Sequence, residues 1–215
     1  MRCFGLTPDQ VLSREPAPDA GRFPSLPVSI LFGTLSFTAV STLAYSLWAG
    51  GWIRQQATLY TSIAAVYLVF GGFALSWLVK GTGTASRFAL LFATAFALYA
   101  VLWCVFWFGL RGKYFADLWG AAVGLAPLTW LMLRAFGKEG GFFTAFVVVF
   151  LLHSAGYYLG DYWHDAIRDA NGRRTATGRL LWGTAHGLGF GAGIGFLLHA
   201  CQAPIKLRLA SAGRT

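Results

Sequence analysis

The chain has 215 residues, of which 56% are hydrophobic, 17% aromatic and only 12% charged, with a formal net charge of +9. Soluble domains carry about 25% charged residues, so this chain has half the usual supply for a water-facing surface. A mean hydropathy of +0.57 points the same way. Together these values exclude a soluble globular enzyme, a disordered chain and a disulfide-stapled secreted module, and leave a polytopic membrane protein.

A polar segment comes first. Residues 1–26 hold three Arg, three acidic residues and four Pro, without the apolar heart of a cleavable signal. This N-terminal tail is therefore expected to stay attached, with the first span acting as the insertion signal. Crossing a core roughly 30 Å thick takes about 20 mainly apolar residues. Six stretches qualify: 27–52, 58–79, 88–110, 118–136, 141–163 and 179–203. Charges such as Arg134 and Asp161 sit at the ends of these windows. The runs are continuous and rich in Leu, Ala, Phe and Gly, not alternating as in a barrel strand. The expected fold is an all-α polytopic membrane bundle of six transmembrane helices over 27–203. Both termini lie on one side, and residues 204–215 form a short basic C-terminal tail.

Let side A be the side of the N-terminus and side B the other. Side A collects ten Lys and Arg, side B seven. The positive-inside rule then places both termini in the cytoplasm of an inner-membrane, multi-pass protein. The net charge is an interfacial property and gives no reason to invoke nucleic acid. Aromatic residues are lopsided too: Trp48, Trp52, Trp103, Trp107, Trp119, Trp163 and Trp182 all fall towards side B. Trp and Tyr favour the interface, but a belt normally forms on both sides. The asymmetry points to an aromatic-lined cavity or a partner on side B, beside the plain belt.

Several chemistries are absent. No lysine lies deep in a span to carry retinal, no carboxylate sits at mid-depth for ion coupling, and HExxH and P-loop motifs are missing. Cys3, Cys104 and Cys201 show no paired spacing, which removes disulfide, zinc-finger and c-type haem readings. What remains is four histidines in the last two spans and their connection.

His153 lies near the centre of the fifth span. At about 100° per residue, His153, Tyr157, Asp161, His164 and Arg168 share one stripe. The sixth span carries Gly183, Gly187, Gly191 and Gly195 at four-residue intervals, with Gly189 and Gly193 on a parallel track. Such ladders admit a neighbouring backbone, and they also leave room for a flat cofactor. Between antiparallel neighbours, His153 and His186 come level to within about 4–5 Å, whereas His164 with His186 is offset by roughly 12 Å and His153 with His199 by roughly 15 Å. Pro127 is expected to kink the fourth span, and residues 169–178 form the longest polar connection.

Three functions are consistent with this pattern. In the first, His153 and His186 are axial ligands of haem b or another macrocycle, in a subunit of a redox or pigment-bearing membrane complex. In the second, Asp161, His164, Asp165 and His186 hold Zn or Fe near side B in a membrane-embedded hydrolase or transferase acting on lipid-like substrates. In the third there is no cofactor: the chain is a transporter, channel or assembly factor, and the ladder packs helices or builds a homo-oligomer. The lipid bilayer is a partner in all three.

Overall fold

The computed structural model describes residues 3–14, 23–81 and 83–212. Among them the secondary structure is helical throughout, apart from an isolated bridge between Arg168 and Arg174. The helices are α1 (Pro8–Leu12), α2 (Leu26–Ala49), α3 (Gln56–Val66), α4 (Gly72–Ser76), α5 (Thr84–Gly109), α6 (Ala116–Ala135), α7 (Phe142–Ala166), α8 (Ala176–Cys201) and α9 (Ala203–Ala212). Six helical units are long and apolar enough to cross a membrane, the second being α3 and α4 joined through a π-helical turn. The fold is an all-α bundle with apolar spans suited to lipid contact.

Span ends differ from the sequence-based bounds by a few residues. Helix α8 begins at Ala176, because Thr175 caps it by accepting a hydrogen bond from the Gly178 amide at 3.1 Å. Helix α6 runs on through Pro127. The two terminal segments, read from the sequence as tails, meet each other. Val11 of α1 packs with Ile205 and Leu209 of α9, and Arg208 pairs with Asp9. This contact puts the described N- and C-terminal segments on one side. Residues 1, 2, 15–22 and 213–215 of those tails lie outside the described residues.

Helix α8 is the axis of the bundle, and its glycines explain why. A Cβ on Gly191 would come 2.5 Å from the Gly33 carbonyl of α2, and one on Gly33 would come 2.7 Å from the Gly191 carbonyl. Gly183, Gly187 and Gly195 face Tyr45, Thr38 and Ser29 of the same helix. The parallel track, Gly189 and Gly193, faces Gly156 and Val149 of α7. Thus α8 runs between α2 and α7 at near-backbone contact, and both tracks are used inside the chain. Dispersion and weak hydrogen bonds supply the attraction that hydrophobicity cannot supply in lipid.

The second span is built differently. Its α4 half is anchored on α5, where a Cβ on Gly72 would meet Ala89 Cα at 2.7 Å. The π-turn Tyr67–Gly71 then adds a residue to the turn and carries Tyr67 inward, leaving it 3% exposed. Beyond it α3 buries no residue. This stand-off of α3 from the bundle opens the site.

Candidate functional site

Where α3 stands away, a cavity of about 450 Å³ opens between α2, α3, α5 and α8. Gly51, Ile53 and Arg54 of the α2–α3 connection border it at one end, which is the side-B end. Trp48, Trp103, Trp107 and Trp182 wall it, together with Tyr45, Tyr60 and Tyr157. Side B's aromatic crowding thus divides in two. These rings line the cavity, while Trp52, Trp119 and Trp163 stay exposed on the outside of the bundle.

The floor is polar. Tyr67, Tyr99 and His186 border the cavity, and His153 lies directly behind them. The Nε2 atoms of His153 and His186 are 3.3 Å apart, and Tyr99 Oη is 2.7 Å from His153 Nε2. On the other flank Tyr67 Oη lies 3.4 Å from His186 Nδ1 and 2.6 Å from Ser41 Oγ. Ser41 in turn donates to the Gly183 carbonyl at 2.6 Å.

Proton positions follow from the partners. A carbonyl only accepts, so the Ser41 proton points at Gly183, Tyr67 donates to Ser41, and His186 Nδ1–H donates to Tyr67. His153 Nδ1 is buried without a partner. Either tautomer leaves one donor unpaired, His153 Nδ1–H or the Tyr99 hydroxyl. Of the two residues only Tyr99 borders the cavity, where an entering molecule can pair it, which favours the proton on His153 Nε2. That proton goes to the Tyr99 oxygen, with His186 Nε2 as the longer second acceptor. The hydroxyl proton of Tyr99 then has no acceptor among the described residues, and Tyr99 borders the cavity. The floor offers one free donor.

This arrangement bears on the cofactor readings. The spacing of His153 and His186 is that of two side chains in direct contact, with ring planes at 90° and centroids 5.1 Å apart. Trans axial ligands, each about 2 Å from a metal as for imidazole nitrogens generally, need about 4 Å between nitrogens and a slot for the macrocycle. The glycine tracks hold α2 and α7 backbone instead of leaving such a slot. The pair therefore does not fit a haem. The acidic set disperses as well. Asp161 is exposed, and Asp165 is held by Arg174 at 2.5 Å and Arg168 at 3.5 Å. His164 is buried between Trp48 and Trp182, apart from the His186 network. Among the described residues no group of three His, Cys, Asp or Glu side chains converges to hold a metal.

The single polar stripe expected on α7 also splits. His153 and His164 are buried, but Asp161, 80° round the helix from His153, faces out, and Gly156 and Gly160 take the inward places against α8. Sequence reasoning missed Ser41, Tyr67 and Tyr99, each from a different span. The readable signal was a phenol at mid-span in the second and third helices, since a buried Tyr hydroxyl needs a partner. The chain matches no known protein family, and no similar curated protein or solved structure was found.

Proposed function

We propose that the protein binds an organic molecule with a mainly apolar body in the cavity open to side B, with a hydrogen-bond acceptor of that molecule directed at Tyr99. The observation that carries this reading is one roomy aromatic cavity ending on a buried hydrogen-bonded floor with a spare donor. Ligand sites have this character, with volumes of roughly 300–1,000 Å³ and a few placed polar groups. The cavity lies between the first, second, third and sixth spans, with Tyr157 as the fifth span's contribution, and not between the fifth and sixth spans, where the sequence leads us to expect a cofactor or metal site. His153 positions the floor and does not ligate. Because both glycine tracks are used within the chain, a homo-oligomer would have to form through another face.

Cys104 supplies a native reporter, since it lines the cavity, whereas Cys201 is buried and Cys3 is remote. In a Cys3→Ser background, duroquinone is expected to slow Cys104 modification by methyl methanethiosulfonate at least about threefold. Durene, the same ring without carbonyl oxygens, should protect less, and Tyr99→Phe should erase the difference. Equal reaction rates with and without duroquinone, durene and every long-chain amphiphile tried would sink the reading.

We infer further that the chain sits in the inner membrane with its termini in the cytoplasm, on the ten-to-seven division of basic residues. An Arg173→Cys substitution in a chain lacking Cys3 and Cys104 should then take up an impermeant maleimide from the periplasmic side. Labelling from the cytoplasmic side alone reverses the orientation.

A further inference from the structure

We propose that the ligand of this cavity is an amphiphilic anion, whose phosphate or carboxylate group is held at the mouth by Arg179 and Arg54 while its apolar body fills the aromatic interior. This rests on the reading of the cavity as a ligand site and adds the chemical class of what enters it.

Both arginines line the cavity, and no ion pair among the described residues engages either. The ion pairs among the described residues engage Arg168, Arg174 and Arg208. Asp165, a nearby carboxylate, is taken by Arg174 and Arg168. Asp169 Oδ1 accepts from the amides of Asn171 at 2.9 Å and Arg173 at 2.8 Å and so closes its own loop. Among the described residues no ion pair matches this positive charge at the mouth, which stands beside mainly aromatic walls.

Arg179 is also preorganised. Its Nη1 donates to the Trp48 carbonyl at 3.2 Å, and its guanidinium carbon lies 5.3 Å from the centre of the Trp48 ring. Yet its Nε is buried with no partner. A cationic donor shut away from water and left unpaired is costly, and an anion at the mouth would pair it in the side-on geometry that guanidinium favours.

A second observation lies behind two of the lining tryptophans. His164 is 3% exposed, and neither of its ring nitrogens has a partner. Its ring centroid lies 4.9 Å from that of Trp48 and it stacks on Trp182 at 5.8 Å, and both tryptophans line the cavity. Unmet buried hydrogen-bonding capacity is therefore gathered around Trp48 and Trp182, where an incoming headgroup would arrive. Such a headgroup could belong to a bilayer lipid passing beside α3 or to an amphiphile from the water of side B; the chemistry at Arg179 is the same.

The test uses Cys104 protection with the full chain, lacking Cys3, in phosphatidylcholine nanodiscs. Dodecyl phosphate is expected to protect at concentrations at least about tenfold lower than dodecanol. Arg179→Gln should close most of that gap, Arg179→Lys should keep part of it, and Arg173→Gln, on the exposed loop, should leave it intact. Should Arg179→Gln unfold the protein, Arg54→Gln carries the same expectation. Replacing part of the phosphatidylcholine with phosphatidylglycerol separates the sources. Protection without added amphiphile identifies a lipid ligand, and protection by dodecyl phosphate alone identifies a soluble one; either supports the proposal. Equal protection by dodecanol and dodecyl phosphate, or a gap unaltered by Arg179→Gln, overturns the anionic headgroup while leaving the cavity a ligand site. Failure of duroquinone, dodecanol and dodecyl phosphate alike removes both.

Discussion

Gly189→Leu is expected to destabilise the folded bundle by at least about 3 kcal/mol, the upper part of the range for overpacked cores. At 2–4 °C per kcal/mol for a chain of this length, that is a fall of roughly 6–12 °C in Tm. The size follows from what the new side chain would strike. A Cβ at Gly189 would run into the Leu152 carbonyl and would lie 2.8 Å from Gly156 Cα. These are backbone atoms of α7, and no rotamer change moves them aside. Relief requires α7 and α8 to separate, and α8 cannot shift towards α2, where Gly191 already meets the Gly33 carbonyl. Gly109→Ala is the matched control, because nothing lies within 4 Å of its added Cβ, and its Tm should stay level or rise slightly. Thermal unfolding followed by size-exclusion chromatography in a neutral detergent reads both. A wild-type Tm for Gly189→Leu would mean that α7 and α8 do not meet through these glycines.

The same contact shows how far the sequence could be read. Six spans were visible because burial in lipid demands long apolar runs, and the glycine tracks were visible because a four-residue repeat of small side chains is rare by accident. What each track touches was not visible. Gly33 is the only glycine of α2, so it shows no repeat, and Gly156 and Gly160 form a single four-residue step set among the polar residues of α7. The level pairing of His153 and His186 followed from helix rise alone. Their role did not, because it depends on Tyr99 and Tyr67, which tertiary packing delivers from other spans. The cavity was hinted at by the lopsided tryptophans. Its cause was hidden: the π-turn at Tyr67–Gly71 has no pattern in hydropathy, yet it holds α3 away from the bundle.

The floor should behave as one coupled unit, and a double-mutant cycle on Tyr99 and His153 tests it. Tyr99→Phe removes the oxygen that takes the His153 Nε2 proton at 2.7 Å, and should cost about 1–2 kcal/mol, near the top of the range for hydrogen bonds between membrane helices. The upper end applies because His153 is 1% exposed and its remaining acceptor, His186 Nε2, lies at a longer 3.3 Å. His153→Leu should cost a similar amount, since it leaves the Tyr99 oxygen and His186 Nε2 without a donor. Each single change strands a buried polar group; the double change removes both ends of the shorter bond. The two losses should therefore fall short of additive by at least about 0.5 kcal/mol, the level at which neighbouring residues are distinguished from independent ones. Strict additivity would mean that no bond joins Tyr99 to His153. Duroquinone discriminates further: Tyr99→Phe loses the free hydroxyl and with it the preference over durene. His153→Leu keeps that hydroxyl and weakens the preference only through its lost orientation. A carbonyl preference that survives Tyr99→Phe would assign the floor's donor to another residue.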